Sequence, residues 1–205
     1  MKTRARLFAV AIAAALLAVT AGYSVAGPLE DGMDAYRSND YAKAAELWRP
    51  LAEKGNATAA YQLGTLYAEG KGVVRSDKDA FEWFSKAANA GNASAQYNLA
   101  ASYAEGIGVT RDDALAAKWF RRAADQGMAY AQLNLGIMYA NGRGVPQDNI
   151  EAVKWFEIAI FSLPPGGARS DAARILRETA DKLNEEQLLE ARVRQRAFKA
   201  KAEAQ

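Results

Sequence analysis

The apolar positions of the central chain fall at steps of three and four, and the set of steps recurs. Ala59, Leu63, Leu66 and Tyr67 mark one helical stripe; Ala80, Trp83, Phe84, Ala87 and Ala88 mark a second. Between the stripes lies a glycine-rich stretch, YAEGKGV from Tyr67. The pattern restarts at Ala93 and at Ala129, a period of 36 residues without a gap. Columns formed by Leu63, Leu99 and Leu135, by Tyr67, Tyr103 and Tyr139, and by Trp83, Trp119 and Trp155 fix the register. Each period therefore predicts two antiparallel helices, a hairpin, in units 57–92, 93–128 and 129–163.

Capping residues bound the predicted helices. Asn56 and Asn92 stand as N-caps of the first helices. Asp148 and Glu151 have the spacing of a capping box. Gly55, Gly91 and Gly127 close the second helices, where a left-handed residue is needed. Upstream, residues 27–56 read as a degenerate hairpin without the glycine loop: a helix near 31–38, a turn at Asn39 and Asp40, and a helix from Tyr41. Downstream, Pro164, Pro165, Gly166 and Gly167 break the pattern. Two capping helices are predicted within 168–205, near 171–183 and 185–201, with Asn184 and Gln187 as the capping box between them.

The glycine pairs raise the question of a phosphate loop. A dinucleotide fingerprint needs a preceding strand and a third glycine, and a P-loop needs Gly-Lys-Ser/Thr. Here a helix precedes, and Arg75, Arg111 and Gln147 occupy the third-glycine place. Gly70, Gly106 and Gly142 instead read as helix C-caps, with Gly72, Gly108 and Gly144 turning the chain.

The first 26 residues differ in kind. Lys2, Arg4 and Arg6 precede an apolar run from Leu7 to Ala21, too short to span a bilayer comfortably, and Ser24-Val25-Ala26 follows. This is the pattern of a signal peptide cleaved after Ala26, with an uncleaved anchor helix as the other reading. The expected location is periplasmic or secreted. Cleavage would leave 23 basic against 24 acidic residues, a balance with no pull toward nucleic acid. No cysteine is present, which removes disulfides and thiolate chemistry; no histidine is present, which removes the commonest general base and metal ligand. No Ser-x-x-Lys, Gly-x-Ser-x-Gly or P-loop occurs, so no cofactor, metal or catalytic constellation is predicted and the reading is not an enzyme.

The run A-x-x-x-L-G-x-x-Y-x-x-G-x-G-V followed by K-A-x-x-W-F-x-x-A-A-x-x-G resembles the Sel1-like repeat, a relative of the tetratricopeptide repeat, over residues 57–163. Ala100 replaces the glycine found at Gly64 and Gly136, and the third unit lacks the closing glycine. The resemblance implies an all-α fold, a right-handed α-solenoid of antiparallel helical hairpins, acting as an adaptor in protein complexes. It also implies that the first helices line a concave face. Candidate binding positions there are Thr58, Tyr61, Gln62, Thr65 and Glu69; Ser94, Tyr97, Asn98, Ala101 and Glu105; and Tyr130, Leu133, Asn134, Ile137 and Asn141. The amide row Gln62, Asn98 and Asn134 offers donors and acceptors to an extended peptide, and the tyrosines offer rigid contact area. The expected partner is a protein or peptide, with cell-wall glycan or a membrane sensor as other readings. The tryptophans are expected in the core, and the hydroxyls of Tyr67, Tyr103 and Tyr139 on neighbouring backbone groups. Glu69 and Glu105 lie at helix C-termini, an unfavourable place for a carboxylate unless Lys71 or Arg75 compensates. The basic C-terminal stretch from Ala191 is a further candidate for anionic partners.

Overall fold

A computed structural model describes residues 27–203; the expected signal segment lies outside the described residues. The described chain is all-helical. Its helices are α1 (Pro28–Arg37), α2 (Tyr41–Glu53), α3 (Ala57–Glu69), α4 (Asp77–Asn89), α5 (Ala93–Glu105), α6 (Asp113–Asp125), α7 (Ala129–Asn141), α8 (Asn149–Ser162), α9 (Gly167–Ala180) and α10 (Glu185–Glu203). From α1 to α8, successive helices pair as hairpins and the second helix of each hairpin packs on the first helix of the next, while α9 and α10 both pack on α8. This is the hairpin solenoid that the period predicts.

The caps act largely as read. Asn56 and Asn92 accept from the Ala59 and Ala95 amides, both at 2.9 Å. Asn184 and Gln187 make a reciprocal capping box at 2.9 and 3.0 Å. The box at Asp148 is half made. Asp148 accepts from the Glu151 amide at 2.9 Å, but the Glu151 carboxylate turns to cationic side chains instead. Two boundaries differ from expectation: α1 starts earlier, with Pro28 at its first turn, and α9 starts at Gly167 rather than near residue 171.

The core is a ladder of small and large residues. Ala87, Ala88, Ala123 and Ala124 are fully buried, and Trp83, Trp119 and Trp155 are 8%, 8% and 0% exposed. The alanines let helices approach while the indoles fill the space between. Trp48, also fully buried, holds the lead hairpin by donating to the Leu29 carbonyl at 3.2 Å. Gly136 is needed for a different reason: a Cβ there would lie 2.6 Å from the Phe156 ring.

The glycine loops prove to be stitches between hairpins. Gly70, Gly106 and Gly142 are left-handed C-caps, at φ 68°, 74° and 64°. Gly72, Gly108 and Gly144 also have positive φ, and each presses on the start of the preceding hairpin's second helix. A Cβ at these places would collide with the backbone of Tyr41, Asp77 and Asp113 respectively. The second glycine therefore allows close backbone approach as well as a turn.

Cationic side chains reinforce two of the three junctions. At the first, the Arg49 guanidinium donates to the Tyr67 hydroxyl at 3.0 Å and Lys71 lies 5.3 Å from the Tyr41 ring centroid. At the third, Arg121 donates to the Tyr139 hydroxyl at 2.7 Å, while Arg143 pairs with Asp113 at 2.8 Å and donates to the Ala104 carbonyl. The middle junction, α4 on α5, has Ser85 and Ile107 in the places of these cations. Tyr103 there meets the edge of Phe81, with centroids 5.4 Å apart. The tyrosine hydroxyls thus bond arginine side chains, not the backbone groups expected, wherever an arginine stands one hairpin back.

Candidate functional site

The fifteen candidate positions lie on α3, α5 and α7, and none is buried. Thr58, Glu69, Glu105, Tyr130 and Asn141 are exposed; the others are half-buried. The 36-residue period places equivalent residues on successive first helices, so the candidates form one continuous surface.

That surface is partly committed to its own architecture. The Tyr61 and Tyr97 rings lean on Phe84 and Phe120 of their own hairpins, with centroids 5.9 and 5.6 Å apart. This fixes each ring while leaving part of it accessible. In the amide row, Gln62 points its Nε2 at the Met33 sulfur at 3.2 Å, and Asn134 reaches the Tyr97 hydroxyl at 3.5 Å. These two amides bridge neighbouring hairpins. Asn98, in the middle of the row, makes no such bridge among the described contacts, so its amide keeps both donor and acceptor capacity. Thr65 donates back to the Tyr61 carbonyl at 3.1 Å, and Asn141 to the Ile137 carbonyl at 3.0 Å.

Leu133 and Ile137 pack on a cluster of Ala140, Ala152 and Phe156 that they share with Ile175 and Leu176 of α9, so part of the third unit's share is taken up in the core. The surface continues as a groove of about 320 Å³ between α7 and α9, lined by Ile137, Asn141, Arg174 and Glu178 among others. Glu69 is compensated locally, since Lys71 pairs with it at 2.8 Å and the contact raises the lysine pKa. Ile107 stands where Lys71 does in the preceding unit, so Glu105 lacks that counterion.

Sequence reading missed several polar groups that the fold brings together. Gln96 and Gln132 are buried and donate to the Ala88 and Ala124 carbonyls, both at 3.2 Å, which ties each first helix to the end of the helix before it. Their equal spacing was the available signal. Glu151 is the second miss. One of its oxygens accepts from Lys154 at 2.5 Å, Trp155 at 3.0 Å and Arg121 at 3.2 Å, and the other faces Arg194 of α10 at 3.4 Å. Burial pushes the Glu151 carboxyl up, but Lys154 and Arg121 outweigh it and hold the group below its ordinary value. Burial, with Arg121 and Arg194 nearby, depresses Lys154. The cluster bolts α10 to α6 and α8.

Among the described residues, no group of acidic side chains has metal-binding geometry, and no helix is long and apolar enough to cross a membrane. The stacked hairpins and their accessible row of tyrosines and amides define a helical-repeat scaffold. The Sel1 repeat family model matches residues 25–56, 57–92, 93–128 and 129–160, and the chain belongs to the Sel1 repeat family. The match also covers the lead hairpin, which has no glycine loop.

Solved structures agree. A Sel1 repeat protein from Oxalobacter formigenes is 31% identical with a TM-score of 0.64, over 72% of this chain and 57% of that one. A protective antigen present in uropathogenic Escherichia coli strains, displaying an SLR fold, is 31% identical with a TM-score of 0.55, over 76% of this chain and 40% of that one. Among curated proteins, an exopolysaccharide production negative regulator of Rhizobium leguminosarum bv. viciae is 37% identical over 57 residues, 28% of this chain and 21% of that protein. Its counterpart in Rhizobium meliloti (strain 1021) is 39% identical over the same length and shares. The chain thus matches about a fifth of the length of these curated relatives.

Proposed function

We propose that the protein is an exported, non-catalytic adaptor that holds a peptide or protein segment along its first-helix face, the concave side of the solenoid. The observation that carries this reading is the row of ring-braced tyrosines flanking the unbridged Asn98 amide. Tyr97 presents a rigid amphipathic edge, and Asn98 can both donate to and accept from an extended backbone. The N-terminal signal pattern supports export, with the bacterial envelope as the place of action. The curated relatives are named as negative regulators, which favours an adaptor that restrains a partner over one that only tethers it.

The test is site-specific photo-crosslinking in cells. A crosslinking residue at the exposed position of Tyr130 is expected to trap a discrete protein partner, and Tyr97→Ala plus Asn98→Ala should abolish the adduct. Equal trapping in that variant, or from Glu82 on a second helix, would reject the assignment. Retention on purified cell-wall sacculi, lost in the same variant, would replace the protein partner by glycan.

A further inference from the structure

The last two helices break the rule that governs the others. The two helices of every earlier hairpin pack closely on each other. By contrast, α9 and α10 both pack on α8 and touch each other little, although only a short turn joins them. The space that a closed hairpin would fill remains as a cleft of about 300 Å³. Its apolar surface comes from Ile160 and Phe161 of α8 and Leu176 of α9; its other wall is α10, with Arg192 and Arg196. Phe161 is 69% exposed, high for a phenylalanine in a packed array.

The charge of this cleft is specific. Arg192, Arg196 and Lys199 stand at i, i+4 and i+7, one face of α10, and the Lys199 ammonium lies 3.9 Å from the Phe161 ring centroid. Arg194, on the opposite face, is already committed to Glu151 and Glu190. Among the described residues of the lining, Glu157 is the one carboxylate, and Arg192 and Lys199 act on it. The cleft therefore retains a positive surplus beside an apolar floor.

We propose that the α9–α10 cleft is a second docking site, separate from the first-helix face, and that it takes an acidic amphipathic helix of a partner protein. The missing helix–helix contact leaves room for a third helix. Its apolar stripe would cover Ile160, Leu176 and Phe161, and its flanking Asp or Glu side chains would meet Arg192, Arg196 and Lys199. Residues 192–199 advance about 10 Å along α10, or two helical turns. A flat lipid surface fits less well, because it meets Phe161 and the cations but not a floor recessed between two helices.

The test uses a fluorescent synthetic helix with leucines on one face and glutamates beside them. A matched helix carrying lysine in place of glutamate, and phosphatidylglycerol vesicles, serve as comparisons. Anisotropy titration of the full chain should show saturable binding of the glutamate helix and none of the lysine helix. Arg192→Glu plus Arg196→Glu should weaken binding about tenfold or more. Phe161→Ser, at an exposed position that leaves folding intact, should do the same without changing the charge. Tyr97→Ala plus Asn98→Ala should bind the helix as wild type does; loss of binding there would place the peptide on the first-helix face and overturn the proposal. Absent binding, equal binding of both helices, or unchanged affinity in the cleft variants would overturn it too. Vesicle flotation that depends on these residues, without peptide binding, would assign the surface to lipid and reject the protein partner.

Discussion

Glu151→Gln is the most informative single substitution in the scaffold. The change preserves shape and removes one charge from a carboxylate whose side chain is 12% exposed. Lys154, 8% exposed, then loses its counterion inside the structure. Orphaning one member of a buried ion pair costs about 3–5 kcal/mol. The lower end applies, because Arg121 and Arg194 are 34% and 38% exposed and solvent screens their share. About 3 kcal/mol corresponds to a fall in Tm of roughly 6–12 °C for a chain of this size. The pH dependence follows from the direction of the shift. The folded carboxyl titrates below its ordinary value of 4.5, so near and below that pH the unfolded chain binds more protons than the native one. The stabilisation is complete above pH 4.5 and fades as pH falls below it. Melting of wild type and variant, followed by circular dichroism across that range, should show a full gap at pH 7 that narrows in acid. Glu151→Met with Lys154→Met, which removes both charges, should recover most of the loss. Co-melting of wild type and Glu151→Gln at pH 7, or a gap undiminished in acid, would refute a buried charge cluster at this joint.

Further outcomes follow from the packing. Hydrogen exchange should be faster across the α4–α5 junction than across the two junctions bridged by cations, and Ser85→Arg, placing a donor near Tyr103, should slow it about fivefold; uniform exchange would contradict the account. Trp119→Ala should cost about 3–5 kcal/mol in urea unfolding, and a wild-type midpoint would exclude a core role. Gly144→Ala must both hold a positive φ and push into the Asp113 backbone, whereas Gly127→Ala, with open space around its Cβ, has the left-handed conformation alone to bear, about 1–2 kcal/mol. The first should therefore be clearly the more destabilised in parallel denaturation, and equal losses would mean that the loops do not stitch the hairpins.

The fold was legible because its determinants are local and repeated. Apolar spacing, asparagine caps and closing glycines each act within a few residues, and three copies average out accidents. What could not be read depends mainly on neighbours 18 to 43 residues away. Tyr67 and Tyr139 look alike beside Tyr103 in the columns, yet the first two bond an arginine one hairpin back and the third does not. Glu151 looked like half of a capping box, since the spacing from Asp148 is right. Lys154, Arg121 and Arg194 draw the carboxylate away, and only the last is outside the repeats. The candidate face was legible as a set of surface positions, but not the self-bridging of Gln62 and Asn134, which needs the hairpin-to-hairpin offset.

Departures from the period therefore carry the particular chemistry, while the period carries the fold. A strict repeat would give every junction the same stiffness and every amide the same role. Here Ser85 and Ile107 remove two cations at one junction, and the Gln62 and Asn134 bridges fall at the junctions on either side of it. The junction that lacks both cations and the uncommitted Asn98 amide thus coincide at α5. Under the proposed function, a segment bound there would meet the free hydrogen-bonding group of the row beside the junction that lacks both cations, so the same few substitutions would set both features.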